Sequence, residues 1–249
     1  MLSKRHAEIL RILEAEESVS VSALADRLGV SSETVRRDLR PLTENGSVLR
    51  THGAVGLAGR QGEAPFQRRM RENAGAKMAI ARHIAAQVRD GETLMLDTGT
   101  TTSFVARALT GHRRLTVITN STDAARILSA AGAGRVFLTG GEIRPDSGAM
   151  LGPLAIEAAR RFSAGLAIIS AGAVGAGAVM DYDPDEAEFA RALFAGARRR
   201  IVACDSTKFD RLAPMRVCDL SEPDRLVTEA PPSPAIAASL GDRLEIAPA

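Results

Sequence analysis

From about residue 77 onward, short apolar runs alternate with segments patterned as helices, and this alternation narrows the fold more than any other feature of the chain. Helices are expected over 77–88, 103–109, 122–130, 154–161 and 186–197. Strands are expected over 93–96, 115–118, 136–138, 166–169, 201–203 and 226–227. Strands this short and apolar, each separated by a helix, are buried on both faces. The expected architecture is therefore α/β with a mostly parallel sheet. Such a sheet gathers its strands' carboxyl ends along one edge, where open α/β folds bind ligands.

The residues that would meet at that edge are alike. The strand over 93–96 runs into Asp97-Thr98-Gly99-Thr100-Thr101-Thr102 and straight on into a helix. Hydroxyls, a glycine that admits backbone N–H groups and a helix N-terminus are the ingredients of a phosphate cradle. Neither a GK[ST] P-loop nor a GxGxxG fingerprint is present, so nucleotide is not indicated. Taken alone, the loop is better explained as a polar turn with hydroxyl caps. Its weight comes from the other strands, which end in Thr119-Asn120-Ser121, Thr139-Gly140-Gly141, Ser170-Ala171-Gly172 and Asp205-Ser206-Thr207-Lys208. The acids Asp181, Asp183, Asp185, Glu186 and Glu188 admit two readings. They cap and complement a helix that starts at Pro184, or some of them face a ligand hydroxyl.

The first fifty-five residues form a different pattern. A first helix over 3–16 carries Ile9, Leu10, Ile12 and Leu13. Ser20 caps a second, with Leu24, Ala25 and Leu28 as its apolar stripe and Gly29 as its stop. After the turn Gly29-Val30-Ser31, a helix over 32–44 buries Val35, Leu39 and Leu42 and turns Glu33, Arg37, Arg40 and Glu44 outward, with Thr34 and Arg36 on its flanks. Helix, three-residue turn and helix make a helix-turn-helix, and 47–50 with 53–55 suit a short hairpin, the wing of a winged variant. Arginines on such a helix suit guanine in the major groove, while Ser31, Ser32, Thr34 and the helix N-terminus suit phosphate. Arg36, Arg37 and Arg40 on the helix, with Arg50 and His52 in the wing, are the expected duplex-facing residues.

Charge limits how such contacts are made. Lys and Arg number 32 against 30 Asp and Glu, so any nucleic-acid contact is local. Lysine is scarce: Lys4, Lys77 and Lys208 are the whole supply, which singles out Lys208 at a strand end as a cation for a phosphate. Cys204 and Cys218 stand apart and the histidines are scattered, so no zinc site, other metal site, cofactor or disulfide framework is expected, in keeping with a reducing cytoplasm. Residues 162–180 carry no charge, but Gly165, Gly172, Gly175 and Gly177 make a buried strand and glycine-rich loop the expectation there, not a membrane span.

Together the residues resemble the DeoR family of bacterial regulators of sugar metabolism. The resemblance runs through Val30-Ser31, Thr34 to Leu39, Leu49-Arg50, His52-Gly53-Ala54, Arg68, Lys77 and Ala79-Ile80-Ala81. It continues in Asp97 with Gly99 to Thr102, Thr119-Asn120-Ser121, Gly140-Gly141 and Asp205 to Phe209. Gly140 to Arg144 and Thr228 to Pro232 are similar to the glycerol-3-phosphate repressor branch. One departure is Ala54, where the family usually has a second glycine. The resemblance implies a winged helix-turn-helix over 1–57, a linker over 58–75 and, over 76–249, a sensor and oligomerisation domain like ribose-5-phosphate isomerase. It implies an effector pocket lined by Asp97, Gly99, Thr100, Thr101, Thr102, Asn120, Gly141, Asp205 and Lys208. The expected function is a repressor of sugar or polyol catabolic genes. Its partners would be double-stranded operator DNA, a phosphorylated sugar or polyol, and further copies of itself in a dimer or tetramer. The rival is a sugar-phosphate isomerase with Asp97, Glu186 or Glu188 as base and Lys208 as cation; a third reading is a DNA-binding protein with an inert oligomerising body.

Overall fold

The computed structural model describes residues 4–16, 19–44, 47–51, 54–57, 63–175 and 177–248. The chain divides into two compact units, Met1–Arg68 and Arg69–Ala249.

In the first unit, α1 (Lys4–Ala15), β1 (Val19–Ser20), α2 (Val21–Leu28), α3 (Ser32–Glu44), β2 (Val48–Thr51) and β3 (Ala54–Leu57) follow in order. Ser20 caps α2 by accepting the Ala23 N–H at 3.0 Å. Gly29 ends α2 in the left-handed region at φ 64°, which lets the Val30 N–H reach back to the Ala25 carbonyl. Ile9, Leu13, Leu24, Val35, Leu39 and Leu42 form one core, each fully buried. The expected two-stranded wing has a third member. Val19 and Ser20 pair with Val55 and Ala54, giving the antiparallel order β1-β3-β2. His52, Gly53 and the side chain of Arg50 lie outside the described residues.

Helix α4 (Phe66–Arg71) falls within the stretch expected as linker, and α5 (Ala74–Ala85) starts three residues earlier than its apolar pattern indicates. Lys77 explains the tight junction. It is 3 % exposed and its ammonium donates to the Arg69 and Glu72 carbonyls at the end of α4.

The second unit continues with β4 (Thr93–Leu96), α6 (Thr100–Ala108), β5 (Leu115–Thr119), α7 (Thr122–Ala130) and β6 (Gly134–Leu138). A hairpin of β7 (Glu142–Ile143) and β8 (Met150–Leu151) precedes α8 (Pro153–Arg160) and β9 (Ala164–Ser170). Then come β10 (Ala173–Gly175), β11 (Ala178–Asp181), α9 (Pro184–Ala195), β12 (Ala197–Ala203), β13 (Met215–Asp219), β14 (Arg225–Thr228), α10 (Pro234–Leu240) and β15 (Leu244–Ile246). Seven strands make one sheet in the order β15-β14-β12-β9-β4-β5-β6, with every pair parallel. Alternate residues supply two cores: Leu94, Leu96, Leu166 and Ile168 meet α5, α6 and α7, while Met95, Ala167 and Ile169 meet α8 and α9.

Several boundaries differ from the pattern. Thr100, Thr101 and Thr102, expected in a loop before a helix at 103, form the first turn of α6. The helix expected over 186–197 begins at Pro184 under an Asp183 cap, as the capping reading of the acids has it, but ends at Ala195, and Ala197 opens β12. The glycine-rich loop after β9 holds β10 and leads to β11, which lies between β10 and β13 in a small antiparallel sheet. These strands, the β7–β8 hairpin, β15 and α10 are too short to show a period. No described helix is long and apolar enough to cross a membrane.

Leu39 is wholly enclosed by the first unit's core. Leu39→Ala is expected to cost that unit about 2–5 kcal/mol, seen as an early urea transition, because the small core cannot close over the lost volume.

Candidate functional site

Two regions collect the chemistry. On α3, burial of Val35, Leu39 and Leu42 turns Arg36, Arg37 and Arg40 to solvent. Arg36 pairs with Glu33 at 3.3 Å and Arg40 with Glu44 at 3.0 Å, both at the surface, where such pairs contribute little and yield to a stronger anion. Ser31 accepts the Thr34 N–H at 3.2 Å and shares a 2.9 Å hydrogen bond with the Thr34 hydroxyl, so both are placed at the helix N-terminus, ahead of Ser32. Asp38, missed as a positioning residue, is buried beneath. Arg5 of α1 grips it through Nε and, at 3.1 Å, Nη2, and that hydrogen bond holds the Asp38 carboxyl below the usual range. The pair pins the outward-facing helix to α1.

The second region is the carboxyl edge of the parallel sheet. From β4 the chain builds outward through β5 and β6, then crosses back to β9 on the other side of β4 and builds away through β12 and β14. The order reverses between β4 and β9, the place where open sheets leave a crevice. Asp97 leaves β4 there, and its Oδ2 accepts the Ser170 N–H from β9 at 2.9 Å. Gly99 lies so close to Ser170 that a Cβ would come within 2.2 Å of its hydroxyl. Asp97 is 7 % exposed; burial drives its pKa well up, and the charges of Glu186 and Asp181 push the same way against the Ser170 N–H and Thr102 hydroxyl.

Polar atoms left unpaired mark this edge. Asn120 at the β5 tip is fully buried, yet neither its Oδ1 nor its Nδ2 finds a partner among the described residues. Asp97 Oδ1, Thr98 Oγ1 and Thr139 Oγ1, on the same tips, are also buried and unpaired. Unpaired buried polar groups are costly and rare in folded chains, and gathered on neighbouring strand ends they suit a polar ligand. Gly141 begins the β7–β8 hairpin at φ 111°, where a Cβ would sit 2.4 Å from the Leu151 carbonyl oxygen.

Not all the expected residues meet. Asp97, Gly99, Thr100, Thr101, Thr102 and Asn120 stand on adjacent tips, with Gly141 beside them past β6. Asp205 and Lys208 leave β12, two strands from β4, about 10 Å away at ordinary strand spacing. Asp205 is occupied in holding the Thr207 N–H at 3.2 Å and the Asn73 amide at 3.4 Å. Glu188 is turned to a surface ion pair with Arg191. Of the isomerase groups, Glu186 acts on Asp97, while Glu188 is turned away and Lys208 leaves a strand two places from β4. Arg144 was absent from the expected site, and Asp185 and Ser170 were outside the expected pocket lining, Asp185 being named only among the acids that cap a helix or face a ligand hydroxyl. Ser170 was recognisable only as another polar strand end, and Arg144 only as the end of the stretch Gly140 to Arg144 that carries the branch resemblance. Burial raises both thiols, Cys218 to about 12 with help from Glu222 and Asp219, so neither is a ready nucleophile. Among the described residues no group of three or more His, Cys, Asp or Glu could hold a metal ion.

Comparison with known proteins covers both units. The profile of the DeoR-like helix-turn-helix domain matches residues 5–61 and that of the DeoR C terminal sensor domain residues 72–230. The HTH-type transcriptional repressor CsqR of Escherichia coli K12 is 34% identical over 239 residues, 96% of this chain and 92% of its own. The glycerol-3-phosphate regulon repressor of the same organism is 31% identical over 241 residues, 96% of each. Ribose 5-phosphate isomerase A from Methanocaldococcus jannaschii is 16% identical over 55% of each chain, with a TM-score of 0.40.

Because the folded-state pKa of Asp97 is raised, the folded protein holds a proton that the unfolded chain, with a carboxyl pKa of about 3.9, releases. Stability from this group is therefore full below about pH 4 and falls as pH rises. Asp97→Asn, which keeps an acceptor for Ser170, is expected to be more stable than the parent at pH 7 and equal to it near pH 4. Thermal unfolding between pH 4 and 8 reads the difference.

Proposed function

The chain belongs to the DeoR family, and on that premise we propose that it is an operator-binding repressor of sugar or polyol catabolic genes, controlled by a phosphorylated sugar or polyol. The observation that carries the reading is that both family domains are matched along the chain while the sheet's switch point holds buried, unpaired polar atoms. Relatives covering almost the whole chain are named as repressors, and one is named for glycerol 3-phosphate; no observation favours an enzyme.

In this reading residues 1–57 bind DNA and 76–249 sense and oligomerise, with 58–75 between them. Arg37 and Arg40 reach base edges, and Arg36, Ser31, Ser32 and Thr34 hold phosphates, with Arg50 and His52 assigned to the wing. The effector lies along the tips of β4, β5 and β6, against Asp97, Gly99, Thr100, Thr101, Thr102, Asn120 and Gly141, while Asp205 and Lys208 close the β12 end. Two copies of α3 in a homo-oligomer read a two-fold operator, and the effector shifts DNA affinity by binding the two arrangements of that oligomer unequally.

Fluorescence anisotropy on duplexes from the chain's own upstream region tests the first half. Arg37→Ala is expected to weaken binding by about 1–3 kcal/mol and relax base preference; retention of no fragment at low salt, with or without sugar phosphates, would overturn the reading. The effector half turns on Asn120. Asn120→Leu removes two unpaired buried atoms, so the ligand-free protein should be at least as stable as the parent while its thermal response to sugar phosphates disappears.

A further inference from the structure

The crevice edge is acidic, which sets a condition on any anionic occupant. Asp181 and Glu186 act on the buried Asp97, and Asp183 and Asp185 share the α9 entry with them. A phosphoryl group docking beside Asn120 needs a cation on that side of the sheet, and Lys208 leaves from β12. Arg144 is placed to supply it.

The β7–β8 hairpin is fastened to the β5 tip. The Met150 N–H donates to the Asn120 carbonyl at 2.8 Å, and Thr122 donates its hydroxyl to the Gly148 carbonyl at 2.8 Å. Within the hairpin the Arg144 N–H meets the Ala149 carbonyl at 2.8 Å, and the Gly148 N–H returns to the Arg144 carbonyl at 2.9 Å. Gly148 is required at this turn, since at φ 67° a Cβ would sit 2.2 Å from the Thr122 hydroxyl. Arg144 is thus held beside Asn120, and its guanidinium crosses to the α9 N-terminus to pair with Asp185, touching Glu142 at 3.3 Å on the way. One donor is left over: Arg144 Nε is buried with no partner. With Asn120 Nδ2 and Thr139 Oγ1, it makes three buried, unpaired donors on one hairpin and two neighbouring strand tips.

Resting on the sensor reading above, we propose that Arg144 takes the effector's phosphoryl group and that Asp185 is the internal anion holding its guanidinium until the effector arrives. The fork of a guanidinium serves a carboxylate and a phosphoryl group alike. Exchange of one for the other breaks the tie between the hairpin and α9, which gives the effector a differential contact between two states.

The test is calorimetric titration and thermal shift of the full chain with sn-glycerol 3-phosphate, ribose 5-phosphate, inorganic phosphate and glycerol. The parent should respond to a phosphorylated probe and not to glycerol. Arg144→Ala should lose at least tenfold in affinity, and Arg144→Lys, a point charge without the fork, should lose less. Asp185→Asn should bind several-fold more tightly because the competing carboxylate is gone, a gain that mere structural damage does not produce and that stands even where Arg144→Ala fails to fold. Equal binding by parent, Arg144→Ala and Asp185→Asn overturns this inference and leaves the sensor reading intact. No response of the parent to any phosphorylated probe removes the sensor reading, and the Arg144 assignment with it.

Discussion

A sheet whose strands all run one way must end every strand at the same edge, and in the second unit that edge carries Asp97, Asn120, Thr139, Ser170 and Asp205 instead of apolar residues. The central strands β4 and β9 are apolar on both faces because helices cover both sides. Polar groups therefore have nowhere to concentrate but the tips. The Ser170 N–H to Asp97 hydrogen bond bridges the reversal point and fixes how closely β4 and β9 end together. Gly99, without a Cβ, permits that approach.

The same edge is where the structure leaves interactions incomplete. Most of its hydroxyls and carboxylates are used within the chain, as Ser121 is used to cap α7 and Asp183 to cap α9. Asp97 Oδ1, Thr98, Asn120, Thr139 and Arg144 Nε are exceptions among the described residues of this edge. A core repays such atoms only when something else supplies their partners. In the first unit, by contrast, buried Asp38 is answered by Arg5, and the exposed face of α3 keeps Arg36 and Arg40 in surface pairs that a phosphate displaces.

Much of this was legible beforehand. The caps at Ser20 and Ser31 and the left-handed stop at Gly29 act through neighbours within five residues, so they are written in consecutive letters. The positions of β4, β5, β6, β9, β12 and β14 followed from runs of apolar residues alone. What escaped was short or non-local. The first turn of α6 consists of threonines, poor helix formers on their own, and is held by its place after Gly99. Strands β10, β11 and β13 pair across distant stretches and carry too few residues for a period.

The letters by themselves determined the two-unit plan, the helix-turn-helix with its outward arginines and the family, because each depends on local pattern or on many matched positions at once. Only the tertiary structure decided which strand ends are neighbours. Strand order sets Asp97 beside Ser170 and Lys208 two strands off, and the hairpin brings Arg144 to Asp185, 41 residues along the chain. Proximity across a sheet is a property of topology, and no periodicity in the chain encodes it.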